Sequence, residues 1–197
     1  MIRGIYWLLL ATLLSPAARA AAGDPVAGKD KAQLCMTCHG VDGYSQDENV
    51  PHLYAQSTAY LVDEMLEFQS GRRSDPVMSA MAKSVTQRQD LEDIAAYFAS
   101  LPKRQITPTS DSLARHGRRL FISERCVFCH GEASDAAAPF VTGAPLLAGQ
   151  HKAYTIKTIR EIRDGKRRGD EYLLMQQIFR RLSDADIEAM AHYLAGL

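Results

Sequence analysis

Cys35-Met36-Thr37-Cys38-His39-Gly40 and Cys126-Val127-Phe128-Cys129-His130-Gly131 are one pattern written twice, 91 residues apart, in a chain of 197 residues. Their surroundings recur in the same order, which marks an internal repeat. Pro51-His52-Leu53, Ala55-Gln56 and Tyr60 return 94 residues later as Pro145-Leu146-Leu147, Gly149-Gln150 and Tyr154. Phe68-Gln69-Ser70-Gly71-Arg72-Arg73 matches Ile162-Arg163-Asp164-Gly165-Lys166-Arg167 at the same separation, and Asp90 to Leu101 matches Asp186 to Leu197 at 96. The separation grows through small loop insertions while the order is kept. Two units follow, residues 24–101 and 111–197, joined by residues 102–110, whose prolines and small polar side chains suit an exposed connector. Each unit has fewer than 90 residues. A core of that size is marginal alone, so a staple, a metal or a large apolar cofactor is expected.

The chain carries 23 basic and 23 acidic residues and is 46% hydrophobic, with four cysteines. That composition excludes a TIM barrel, a disordered acidic protein and a wholly basic nucleic-acid-binding protein. Arg3, the apolar run Ile5 to Leu14 and the small residues of Ala18-Arg19-Ala20 read as a secretory signal peptide over residues 1–20. As a membrane anchor the run is short of the roughly 20 apolar residues that span a bilayer. Cleavage after Ala20 leaves 21 bases and 23 acids, and the remainder is unevenly divided. Residues 24–101 hold 12 acids and 6 bases, residues 102–197 hold 11 acids and 15 bases. The molecule is therefore dipolar. Lys166-Arg167-Arg168 and Arg180-Arg181 make the second unit the side for an acidic partner or anionic lipid, and the first suits a basic partner.

The pattern is helical throughout. Helices are expected from Val26 to Cys38 and from Ser112 to Cys129, ending at the cysteine pairs, with second helices from Ser57 to Gln69 and from Ala153 to Arg163. Gly71 and Gly165 supply stops. The last helix of each unit starts near Thr86 or Ser183 and turns Leu91, Ile94, Tyr97 and Phe98, or Ile187, Met190, Tyr193 and Leu194, inward.

Export places the cysteines where disulfides are ordinary, but their spacing points elsewhere. Two thiols separated by two residues and followed at once by histidine form the attachment pattern of a c-type haem: the thiols share one helical turn and the next imidazole addresses the iron. A four-cysteine zinc site has no need of the adjacent histidine twice, and a thioredoxin-like disulfide wants a strand-to-helix setting absent here. Cys35, Cys38, Cys126 and Cys129 are thus the candidates for covalent attachment of two haem c groups, with His39 and His130 as iron ligands. For the sixth position, Met78 precedes Thr86 by eight residues and Met175 precedes Ser183 by eight. Met81 is the local rival. Met36, Met65 and Met190 read as packing residues. Histidine and thioether together fill the iron's axial positions, which favours carrying electrons over catalysis. Pro51 and Pro145 either offer a carbonyl to the imidazole's outer N–H or only shape the loop. Tyr60 and Tyr154, with Arg72 or Lys166, are candidates for haem edges or propionates, or else surface and core residues. His52, His116, His151 and His192 read as structural or solvent-facing, with His52 close to the ligand loop.

On these residues the chain resembles the cytochrome c4 family. Cys35 to Gly43 is similar to the family's first haem-binding segment, Pro145 to Gln150 to its proline, leucine and glycine-glutamine stretch, and Leu182 to Leu194 to its last helix. The resemblance implies an all-α fold of two tandem class I cytochrome c domains, each wrapped around a covalently attached haem, with His39 and Met78 axial to one iron and His130 and Met175 to the other. It implies haems facing one another across a domain interface, redox proteins as partners, a periplasmic location and loose association with the inner membrane near terminal oxidases. The function expected is single-electron transport between respiratory or substrate-oxidising donors and a terminal acceptor such as an oxidase, with no small-molecule substrate at the irons. The alternative is a dedicated diheme electron-transfer subunit of a sulfide- or thiosulfate-oxidising dehydrogenase. The first unit departs from the family at Ala55, where glycine usually precedes glutamine, and over Val85 to Asp90.

Overall fold

The computed structural model describes residues 23–106, 108–131 and 143–197. The expected signal peptide lies outside them. Among the described residues all regular structure is helical: α1 (Pro25–Lys31), α2 (Gln33–His39), α3 (Thr58–Ser70), α4 (Pro76–Ser84) and α5 (Arg88–Ser100) build the first unit. The second contains α6 (Ser112–Ser123), α7 (Val127–His130), α8 (Lys152–Arg163), a 3₁₀ turn at Asp170–Tyr172, α9 (Leu173–Phe179) and α10 (Asp184–Ala195).

The two units repeat the same packing. The first helix crosses the last, α1 on α5 and α6 on α10, and α3 and α8 lie against the same last helices. Met36, Leu61, Val62, Ile94, Tyr97 and Phe98 form one core, and Phe121, Ile159, Leu182, Ile187, Met190 and Leu194 form the other. Cys35 packs against the first and Cys126 against the second, so each attachment position sits at the margin of its own core.

The helix crossings depend on Gly28 and Gly117. A Cβ on Gly28 would stand 1.9 Å from the Asp93 carbonyl oxygen, and one on Gly117 would stand 2.0 Å from that of Ala189. No side chain fits between the backbones, and only glycine lets them close.

Several expected boundaries move. The helix from Val26 to Cys38 is interrupted at Ala32, and the one from Ser112 to Cys129 breaks at Glu124 to Cys126, where Arg125 adopts a positive φ of 64°. The break re-aims the cysteine turn relative to the crossing helix. In the first unit the last helix is capped at Gln87, without a side-chain cap bond, whereas α10 has the expected Ser183 cap and a reciprocal bond from Asp186. One additional residue therefore separates Met78 from its cap: nine positions to Gln87, against eight from Met175 to Ser183. The helices α4 and α9, which carry these methionines, were not among the expected elements. Asp75 caps α4 by accepting from the backbone N–H groups of Val77 and Met78 at 3.0 Å. Gln69 secures its other end by donating to the carbonyls of Ala82 and Val85, both at 2.8 Å.

Replacing Gly28 or Gly117 with alanine should force the crossing apart and lower the stability of the holoprotein by about 1–3 kcal/mol, the usual cost of overpacking. Thermal unfolding checks this; a variant that melts with the wild type contradicts it.

Candidate haem sites and the domain boundary

In the first unit Cys35, Cys38 and His39 share the single helix α2, and in the second Cys129 and His130 lie on α7 with Cys126 as its cap. All four thiols are free, although both pairs have the spacing to approach one another. Burial pushes the Cys126 thiol up to about 11 and raises that of Cys35.

Each histidine is held from behind. His39 Nδ1 lies 2.9 Å from the Pro51 carbonyl oxygen and His130 Nδ1 lies 3.0 Å from that of Pro145. A carbonyl only accepts, so Nδ1 carries the proton and the basic lone pair is on Nε2, the nitrogen left for a metal. Burial lowers the basicity of both imidazoles, and the proline carbonyls partly offset it. Of the two readings of the prolines, the structure thus has the carbonyl acceptor, in both units. Met78 and Met81 stand three residues apart on one face of α4, both half-buried, and Met175 is half-buried on α9. Met36 and Met190 are core residues; the Met36 sulfur accepts from the Tyr97 hydroxyl at 3.3 Å.

The units meet through side-chain amides. Gln56 Nε2 donates to the Leu146 carbonyl and its Oε1 accepts from the Leu146 N–H, both at 2.8 Å. Gln150 does the same to His52, donating to its carbonyl at 3.1 Å and accepting from its N–H at 2.9 Å. Gln56 and Gln150 are counterparts, as are His52 and Leu146, so the boundary has an approximate two-fold axis. In the second unit the glutamine follows Gly149 at φ 76°; in the first it follows Ala55, which holds φ 53° and bears the strain that a glycine avoids.

His52 and His151 are the histidines that the boundary brings together. Their rings lie 3.9 Å apart, with Tyr44 stacked on His52 at 4.0 Å and Arg104 over the Tyr44 ring at 3.9 Å. His52 is 4% exposed and its Nδ1 accepts from the Ser45 N–H. Of the two readings of these histidines, structural or solvent-facing, the structural one holds, in a contact between the domains. His116 and His192, in contrast, pair with Asp186 and Asp111 nearer the surface.

The buried Tyr154 is faced by the neighbouring basic residues. Arg72 pairs with Glu67 and Lys166 is exposed, whereas Arg73 and Arg167 face Tyr154, with hydroxyl distances of 3.0 and 3.5 Å. Helix direction explains the difference: past Gly71 and Gly165 only the second residue of each pair turns back inward. Tyr60 stands close enough to Glu64 and Tyr154 that, with burial, its phenol is held well above its ordinary value. Burial also opposes ionisation of Tyr154, but Arg73 and Arg167 outweigh it and hold that phenol low. From the sequence Gln56, Gln150 and Arg73 stood only as members of the repeat and Arg167 as part of a basic docking cluster, and Glu64 was not singled out. For the glutamines and arginines the available signal was their recurrence 94 residues apart.

These features fit a haem in each unit: paired free thiols, an adjacent imidazole with fixed tautomer, and guanidinium groups at the boundary, among them a buried Arg167 Nε without a hydrogen-bond partner.

The comparisons with known proteins agree. The sequence model of the cytochrome c family matches twice, over residues 25–102 and 114–197. Cytochrome c4 of Pseudomonas aeruginosa is 38% identical over 195 residues, covering 96% of each chain. A protein of Stutzerimonas stutzeri named thiosulfate dehydrogenase electron acceptor is 30% identical over 214 residues, covering 100% of this chain and 97% of that one. The crystal structure of reduced recombinant cytochrome c4 from Pseudomonas stutzeri superposes with a TM-score of 0.79 at 36% identity, covering 89% of this chain and 100% of that chain. Fold and motifs therefore define a tandem cytochrome c with two covalently bound haem c groups. The chain belongs to the cytochrome c4 family and is a diheme electron-transfer cytochrome.

The boundary histidine makes stability depend on pH. Burial first, then the charges of His151 and Arg104, bring His52 down to about 4, below the roughly 6.5 of an unfolded histidine. Between those values the unfolded chain binds a proton that the folded one refuses. Stability is thus lost as pH falls from about 6.5 toward 4, by on the order of 2 kcal/mol. Melting of the holoprotein across that range should fall more steeply for the wild type than for His52→Gln; parallel curves would contradict it.

Proposed function

We propose that the protein is an exported, periplasmic carrier of single electrons, with Cys35, Cys38, Cys126 and Cys129 as the thioether attachments. In this assignment His39 and Met78 would hold one iron, and His130 and Met175 the other. The bound haem supplies a reversible one-electron ferric/ferrous couple. The observation that carries the reading is the imidazole in each unit whose Nδ1–H is committed to a proline carbonyl beside two free thiols. That bond orients the ring and keeps the proton off Nε2. Asp75 anchors the turn that bears Met78 and reaches Lys157 of the second unit at 3.4 Å, so a ligand helix is tied to the domain boundary.

Transient docking suits the surface. Val77, Phe128, Leu173 and Leu174 are exposed beside the methionine and cysteine positions and offer apolar contact. The basic face of the second unit is narrower than its sequence implies, because Arg167 is 4% exposed and belongs to the interior; Lys166, Arg168, Arg180 and Arg181 remain outside. An acidic redox protein or an anionic membrane surface fits that face, and a basic donor or acceptor fits the first unit. Among the described residues no helix is long and apolar enough to cross a membrane. The donors and acceptors proposed are respiratory or substrate-oxidising proteins and a terminal oxidase. The relative named for accepting electrons from thiosulfate dehydrogenase favours a second reading, service to a thiosulfate-oxidising enzyme. A stable complex with such an enzyme on co-purification separates the two.

The ligand assignment is tested by optical titration of the full-length holoprotein. Two haems per chain should each show the methionine-to-iron charge-transfer band, and replacing Met78 or Met175 should abolish one half of it and lower the affected potential. Full retention in the Met78 variant assigns the ligand to Met81 instead.

A further inference from the structure

The boundary cluster is built largely of repeated pairs, with Glu64 and Tyr172 as the exceptions. Arg73 and Arg167 are counterparts at a separation of 94 residues, as are Tyr60 and Tyr154; at the same separation Glu64 corresponds to Thr158. The Thr158 hydroxyl is buried without a hydrogen-bond partner. Glu64, 7% exposed, is fully engaged: it pairs with Arg73 of its own unit, accepts from the Tyr172 hydroxyl at 2.9 Å and lies 3.6 Å from Arg167 Nη2. Three elements of two domains thus converge on one carboxylate, which no copy of the repeat supplies from the other side.

Two buried guanidinium groups face Glu64, Glu161 reaches Arg167 Nε only at 3.7 Å, and that nitrogen makes no hydrogen bond. Burial works against ionisation of Glu64, but Arg73 and Arg167 outweigh it, so the carboxylate stays charged. A charge fixed in a dry boundary acts over distance with little screening. A negative one favours the ferric over the ferrous state of any iron nearby.

We propose that Glu64 is a positioning and charge-setting residue for electron transfer: it clamps Arg73 and Arg167 at the domain boundary, and its negative charge lowers the reduction potential of the haem centres flanking it. The proposal rests on the diheme reading above. It assigns a role to a residue outside the attachment and ligand sets, and it makes the two otherwise repeated sites electrostatically unequal.

The test is potentiometric titration of full-length holoprotein carrying Glu64→Gln, which keeps the size of the side chain and one acceptor oxygen and removes its charge. The expected result is a reduction equilibrium constant raised about tenfold at one centre or more, equivalent to 59 mV for a one-electron couple. Tyr172→Phe removes a hydrogen bond and leaves the charge, so its potentials should stay within twofold of wild type. Haem content and the methionine band, measured on the same samples, test the diheme reading separately. The proposal is overturned if both potentials of Glu64→Gln stay within twofold of wild type, or if Tyr172→Phe reproduces the full shift.

Discussion

The bond from an imidazole Nδ1 to a proline carbonyl is the constraint on which the rest of this structure depends. It joins the end of the cysteine-bearing helix to the loop that follows, at 2.9 Å in one unit and 3.0 Å in the other. The residue after Pro51 is His52, and the one after Pro145 is Leu146. Those two are the residues whose backbone groups are grasped by Gln150 and Gln56 across the boundary. Orientation of the proposed ligand and alignment of the domains are consequently one continuous network. A shift of either domain is transmitted to the carbonyl that holds the other partner's neighbour.

Around that network the duplication has diverged where charge is concerned and held where backbones touch. Gly28 and Gly117 both permit a helix crossing that admits no side chain. Glu64 and Thr158, by contrast, place a carboxylate on one side of the repeat and a hydroxyl on the other. The opposite net charges of the units have the same sense: a common frame is used twice, and the two copies differ in their electrostatics.

The helical class, the duplication and the haem motifs were legible because each is a local pattern written twice. The proline carbonyls were legible as one of two readings, since spacing places a proline near the imidazole but cannot say which of its atoms faces it. The choice of Arg73 and Arg167 over Arg72 and Lys166 was not legible, because it turns on the chain direction after a left-handed glycine such as Gly71. The His52 to His151 contact and the role of Glu64 depend on residues about 100 positions apart that have no matching counterpart, so no repeat announces them. The cap at Gln87 escaped for a simpler reason: Thr86 is the better capping residue, yet the additional residue in this loop puts Gln87 at the helix start.

Electron paramagnetic resonance of the fully oxidised holoprotein tests the central claim most directly. Two low-spin ferric signals of equal intensity, with the anisotropy of histidine and methionine ligation and unchanged by added cyanide at low concentration, are predicted. A single signal per chain, or a high-spin signal from an iron with an open position, would contradict the account of two equivalent ligand sets built by one duplicated frame.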